Sequence, residues 1–255
     1  MAGIHGNYEI ETNGLVLCLD ATHSRSYPGS GLIIYNIAGK GNNANLNSIA
    51  TYSASSNIGL ILFNTNDAGV NIPPSVDLSS WFRTSNFSIV SVVKANNLVY
   101  PQSSHPLTVN HTVYNSSFPG WSVGHRVSTD FTEVRCADGI NYNTTNINHP
   151  TAGYVTSSVM YHRVFTVDRT SGCLTKMYIN GLFIGSANAT NVSGPIFDTQ
   201  VVANLDAGHP RGLNFGNVWG WRFIGGISQF MVFNRVLNQE EITKNYNATK
   251  RRLRF

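Results

Sequence analysis

The stretch TKMYINGLFIGS, residues 175–186, constrains this chain more than any other. Asn180 and Gly181 both tolerate positive φ, and a two-residue turn of that kind has the twist that joins antiparallel strands. Met177 and Ile179 alternate with Lys176 and Tyr178 ahead of the turn, and Leu182 and Ile184 continue the apolar pattern after it. The stretch predicts a β-hairpin, and the hairpin needs a larger sheet to be stable.

The rest of the chain reads the same way. Apolar residues make up 42% of its 255 positions, enough to bury a core, while charged residues make up only 12%, about half the usual share. Neutral polar residues must therefore cover the surface. Asn and Gly favour turns, and the β-branched and aromatic residues favour strands, which points to an all-β protein. The net charge is +4, and Lys250, Arg251, Arg252 and Arg254 supply it. Of the 17 basic residues these four leave 13, against 13 acidic ones. A neutral body of this kind argues against a nucleic-acid-binding face.

The first residues, MAGIHGNYEIETNGL, lack the basic flank and apolar core of a secretory signal. No run approaches the roughly 18 apolar residues of a membrane helix. Cys18, Cys136 and Cys173 are odd in number and widely spaced, so they read as buried free thiols rather than a disulfide framework.

GLVLCLDA (14–21) is a continuous apolar strand suited to burial on both faces, and FSIVSVVKA (87–95) can likewise meet apolar surface on both sides. GLILFN, VNIP, GWSVGHRV, FTEVRCA, INYNT, YHRVFTVDR, LNFGN and FIGGISQFMVF supply further strands. One helix is predicted, in NQEEITKNYNATK. Asn238 caps it, Glu241 completes a capping box, and Ile242, Tyr246 and Leu237 fall on one face. The sequence divides into an N-terminal extension (1–13), one β-sandwich domain (14–249) and a basic tail (250–255), with a two-sheet jelly roll as the expected closure.

The order of motifs resembles the laminin-G-like, concanavalin-A-like lectin/glucanase domains of phage and bacterial surface proteins. GLVLCLDATHSRSYPGSG is similar to that family's opening strand and loop, and IAGKGNNANL to its S-G-x-G-N-x-G-x-L segment. LILFNTNDAGVNIP, FSIVSVVKA, YHRVFTVDRTSGCLTKMYINGLFIGS and FIGGISQFMVFNRVLNQEEITKNYNA follow in the family's order, from Gly14 to Ala248. Four places depart from the pattern: LIIYN stands where the loop after SYPGSG has a Trp, Asn36 stands for a common Asp, Val92 for a core Trp, and Tyr161 for the Trp before His162. The resemblance implies a concanavalin-A-like antiparallel sandwich.

Enzymes share this fold, and glycoside hydrolysis needs two carboxyl groups about 5 to 10 Å apart. The resemblance implies that such a pair would lie on one strand at i, i+2 spacing. The five glutamates are Glu9, Glu11, Glu133, Glu240 and Glu241. The first two read as part of a loose N-terminus and the last two open the helix. Glu133 has no acid at i±2 or i±4, and Asp130 should face the other side. The expectation is a protein without catalytic activity.

Calcium needs several hard oxygen ligands. Asn64, Asn66 and Asp67 could supply some, with Asp20 nearby, although Asn and Asp also suit turns. The eight histidines lack metal-ligand spacing.

Sugar binding combines aromatic platforms with amide, carboxylate or guanidinium groups. Trp121, Tyr142, Trp219 and Trp221 are candidate platforms, with Arg126, Arg135, Asp138 and Asn141 as polar partners. Core packing is the competing role of each aromatic. The tail, Lys250, Arg251, Arg252, Leu253, Arg254 and Phe255, reads either as a solvated end or as a docking element for an acidic partner, anchored by Leu253 and Phe255.

Two function classes emerge. One is a virion structural protein, a capsid-decoration, collar or fibre subunit assembled in the host cytoplasm beside other virion proteins. The other is a carbohydrate-binding module recognising a host-surface glycan. A virion lectin would be both.

Overall fold

In the computed structural model, the described residues are 9–39, 43–46, 50–54, 58–63, 69–73, 76–97, 104–110, 119–126, 131–150, 159–196, 212–216 and 224–254. Their strands are β1 (Leu15–Asp20), β2 (Ile33–Ile34), β3 (Ala44–Leu46), β4 (Thr51–Ser53), β5 (Leu60–Phe63) and β6 (Gly69–Ile72), then β7 (Phe87–Asn97), β8 (Ser104–Asn110), β9 (Gly120–Arg126) and β10 (Phe131–Ala137). β11 (Tyr142–Asn148), β12 (Met160–Asp168), β13 (Leu174–Ile179), β14 (Leu182–Asn188), β15 (Gly212–Gly216) and β16 (Ile224–Phe233) complete the set. Two helices accompany them, α1 (Val76–Phe82) and α2 (Gln239–Leu253).

The strands form two antiparallel sheets, giving a concanavalin-A-like sandwich. Sheet A runs β14-β13-β12-β7-β16-β5-β4, and β1 also pairs with β16. Sheet B runs β11-β10-β9-β8-β15-β6-β3-β2. Phe87, Ile89, Val93, Phe165 and Met177 of sheet A meet Trp121, Val123, Val134, Cys136 and Ile147 of sheet B in the inter-sheet core. The alternate residues of sheet A do not face water. Cys18, Val90, Val164 and Met231 pack with Leu237 and Ile242 of the α2 region, and Val92 and Met160 pack with Leu253. Sheet A lies between sheet B and α2, which is why β1, β7 and β12 are apolar on both faces.

The hairpin turn has φ of 53° at Asn180 and 81° at Gly181, and β13 pairs with β14 directly across it. Asn180 secures its tip to β12: its side-chain oxygen accepts from the His162 N–H (3.0 Å), and its own N–H donates to the His162 carbonyl (2.8 Å). At α2, Asn238 Oδ1 accepts from the Glu241 N–H (2.9 Å) while the Glu241 carboxylate accepts from the Asn238 N–H (2.9 Å), a complete capping box.

The sequence reading departs from the structure in three places. It missed α1, a seven-residue helix whose Trp81 and Phe82 enter the core, with Phe82 edge-on to Phe87 at 4.9 Å. Glu11 is not loose: its N–H donates to Asn245 Oδ1 (2.7 Å) and its carboxylate pairs with Arg235 (3.6 Å) and Lys244 (3.5 Å). Lys250 to Leu253 are not a frayed end but the last turn of α2, because the 3.6-residue period that buries Ile242 and Thr249 continues to Leu253, while Lys250 and Arg251 stay exposed. Leu253 packs on sheet A of its own chain, and Arg252 forms an ion pair with Asp20. Arg254 is the left-handed C-cap, and Phe255 lies outside the described residues.

Candidate functional site

β9, β10 and β11 form one end of sheet B, with β11 at its edge. Strand side chains alternate between faces. Thr132, Val134 and Cys136 of β10 point into the core, so Glu133 and Arg135 belong to the outer face. Register builds three rows across that face. Glu133 lies between Gly124 and Asn146, Arg135 between Ser122 and Thr144, and Ala137 between Gly120 and Tyr142.

The small residues on β9 leave lateral room, and Glu133 and Arg135 fill it with an ion pair whose side chains are mostly enclosed. β11 presents the other half of the site. Ile147 is buried, whereas Thr144, Asn146 and Asn148 are exposed and Tyr142 is half-buried. Thr144 donates its hydroxyl to Tyr142 Oη at 2.5 Å. Successive outer-face residues are about 7 Å apart along a strand. The edge therefore carries a phenol, a hydroxyl and two amides in line, all uncharged, beside one neutralised ion pair.

Asp138 ties the turn from β10 to β11. Asp138 Oδ1 accepts from the N–H groups of Ile140 (3.1 Å) and Asn141 (2.7 Å), and Oδ2 accepts from the Gly194 N–H (2.9 Å) and Asn141 Nδ2 (3.3 Å). Partial burial raises the Asp138 pKa, but these donors outweigh it and hold the carboxyl below its ordinary value. Asp138 and Asn141 are thus held against each other and the 194 backbone, with both residues half-buried.

Of the residues singled out in the sequence, Arg135 and Tyr142 come together on this outer face. Trp121 does not. It is fully buried on the core side of β9, edge-on to Phe87 (5.6 Å) and Phe165 (5.9 Å), with Nε1 donating to Thr175 Oγ1 (3.0 Å). A platform must meet solvent, so Trp121 is a core residue. Arg126 opposes Phe131 in register, but its side chain lies outside the described set. Trp219, Trp221, Asn64, Asn66 and Asp67 also lie outside the described residues.

Asp20, the further candidate for a calcium site, has its carboxylate already engaged. It is fully buried and accepts from the Thr22 N–H (2.9 Å), Thr22 Oγ1 (2.6 Å) and Gln229 Nε2 (3.3 Å) as well as pairing with Arg252. Among the described residues, no three His, Cys, Asp or Glu side chains are grouped to hold a metal ion. Sequence reasoning missed Thr144 and Asn146, although the alternation in YNTTNIN opposite FTEVRCA carries the signal for both.

No family model and no curated protein matches this chain. Solved structures do. The binding domain of Paraclostridial Mosquitocidal Protein 1 aligns with a TM-score of 0.66 at 15% identity, over 93% of this chain and 53% of that one. The receptor-binding domain of botulinum neurotoxin type G aligns at 0.58 and 17% identity, over 93% and 52%. Domain 4 of AbnA, a GH43 extracellular arabinanase of Geobacillus stearothermophilus in complex with arabinotriose, aligns at 0.60 and 13%, over 92% and 100%. The chain spans about half the length of the two toxin domains and all of the arabinanase domain. At these identities the likeness is one of fold.

Proposed function

We propose that this chain is a non-catalytic carbohydrate-binding module whose site is the outer face of β10 and β11, carried at a virion surface where it meets host glycan. The observation that carries the reading is the line of Tyr142, Thr144, Asn146 and Asn148 beside the Glu133–Arg135 pair. Sugar hydroxyls are neutral donors and acceptors, and an edge of phenol, hydroxyl and amides meets them without desolvating an isolated charge. The fold it shares with toxin binding domains and with a domain in complex with arabinotriose supports the same role.

Catalysis is disfavoured by the partners of Glu133. Its neighbours in register are Gly124 and Asn146, and its carboxylate pairs with Arg135, so no second acid stands across a bond from it there. The virion setting is supported by the order of motifs, which resembles that of phage-type modules.

A glycan-array scan of the purified chain, with calcium and again with a chelator, tests the reading. Binding in both conditions is expected, and an array without signal in either contradicts it.

One observation favours the second reading, a structural subunit. Leu32, Ile33 and Tyr35 are exposed together around β2 at the far edge of sheet B, apolar surface of the kind that neighbours in an assembly cover. Finding the chain among the proteins of purified particles would support that role, and particles without it would refute it.

A further inference from the structure

Cys136 and Cys173 are fully buried, on opposite sides of the inter-sheet core: Cys136 in β10 of sheet B, Cys173 just before β13 of sheet A. Several contacts bring the two segments together. Trp121, the register partner of Cys136, donates to Thr175 Oγ1 (3.0 Å). Arg169 Nη1 lies 3.7 Å from Cys136 Sγ and donates to the Gly172 carbonyl (2.9 Å). One guanidinium nitrogen thus touches the Cys136 sulfur and the backbone of the residue just before Cys173.

We propose that Cys136 and Cys173 are a cross-link site, a dithiol that hydrogen peroxide converts into a disulfide joining the two sheets of the sandwich. The chain's sugar-binding face does not use either thiol, so the proposal stands apart from that function.

The environment assigns the steps. Burial alone would raise the Cys173 thiol pKa, but the Cys136 thiol and the Arg169 guanidinium outweigh it and hold it below its ordinary value. Burial pushes Cys136 well up. Cys173 lies just after the exposed Thr170 and Ser171, nearer the solvent route than Cys136, and is the nucleophile. Its thiolate attacks one peroxide oxygen, the O–O bond breaks, and the hydroxide released takes up the thiol's proton and leaves as water. The sulfur, oxidised by two electrons, is now a sulfenic acid. The Cys136 sulfur then attacks the Cys173 sulfur, the S–O bond breaks, and the departing hydroxide takes the Cys136 proton and leaves as water. Two thiols and one peroxide give one disulfide and two waters. The oxidant has a short way to travel, because Thr170 and Ser171 in the turn before Cys173 are exposed.

Cys18 is a built-in control. It is buried on the opposite face of sheet A with Val90 and Met231, and burial drives its thiol upward.

The test treats the full chain with hydrogen peroxide, alkylates it under denaturing conditions and maps the peptides by mass spectrometry. The expected result is one linked pair, Cys136 to Cys173, lighter by two hydrogens and reversed by dithiothreitol, with Cys18 alkylated. The melting temperature should rise by several degrees on oxidation, because the bond closes a long loop of the unfolded chain. Cys136→Ser and Cys173→Ser should each lose that rise, and Cys18→Ser should keep it. Three alkylated cysteines after treatment, or Cys173 carried on to the sulfinic acid without a linked peptide, would overturn the proposal. The wild-type map decides this even if a variant fails to fold.

Discussion

Arg252, in the last turn of α2, forms an ion pair with Asp20 at the end of β1, a residue 232 positions earlier. The Asp20 side chain is completely enclosed, and the Arg252 side chain keeps 23% of its surface exposed. Burying a carboxylate is costly unless it is both paired and hydrogen-bonded, and Asp20 is both. Arg252→Ala should therefore destabilise the fold by about 3–5 kcal/mol, the range for stranding one partner of a buried pair. Denaturant unfolding measures it, and a loss below about 1 kcal/mol, the value of a surface pair, would show that the contact is peripheral.

Trp121 and Tyr142 should behave oppositely. Trp121→Ala leaves a cavity against Phe87 and Phe165 and should cost about 3–5 kcal/mol. Tyr142→Ala removes a half-buried ring at the sheet edge and should change stability by about 1 kcal/mol or less. Thermal melts of the two variants side by side check the contrast.

His162 makes stability depend on pH. Its ring is fully buried under α2, 5.8 Å from Tyr246, and among the described residues neither ring nitrogen has a hydrogen-bond partner. Burial lowers its pKa from 6.5 to about 3. Between those values the unfolded chain binds a proton that the folded chain refuses, so stability falls as pH drops below 6.5 and that loss levels off below about 3. The slope should approach about 1.4 kcal/mol per pH unit in mid-range. Below the ordinary carboxylate range, Glu241 and Asp138, both held low in the fold, add their own losses. His162→Leu should flatten the curve between pH 6.5 and 4.5. An unchanged slope would mean that His162 is not the titrating group.

Gly181 tests the hairpin. Its φ is positive, and a Cβ there would sit 3.1 Å from Tyr246 Cδ1. Gly181→Ala should cost about 1–2 kcal/mol through backbone strain, with the crowding of Tyr246 added, and Asn180→Gly about 1–3 kcal/mol, because it strands the His162 N–H from which the Asn180 side chain accepts. Chemical denaturation of the two variants gives the comparison.

Features set by a few adjacent residues were legible in the sequence: the Asn180-Gly181 turn, the Asn238–Glu241 capping box, and the apolar strands buried on both faces. Those that depend on which face a residue takes were not. Nothing in the Trp121 side chain distinguishes a platform from a core ring; only its register with Cys136 does. Asp138 looked like a free carboxylate because its Gly194 donor arrives from 56 residues away. The tail looked free because its charges drew attention from the spacing that buries Leu253. α1 was too short to show a helical period, and Arg135 with Tyr142 was found by residue type before register showed why they share a face.

The account turns on whether sugar meets the β11 edge. The most direct measurement is a glycan array probed in parallel with wild type and with Tyr142→Ala/Asn146→Ala, after melts show the two equally folded. The account predicts signals for wild type that fall at least tenfold in the double variant. Equal signals from both proteins would place any binding elsewhere on the molecule and contradict it.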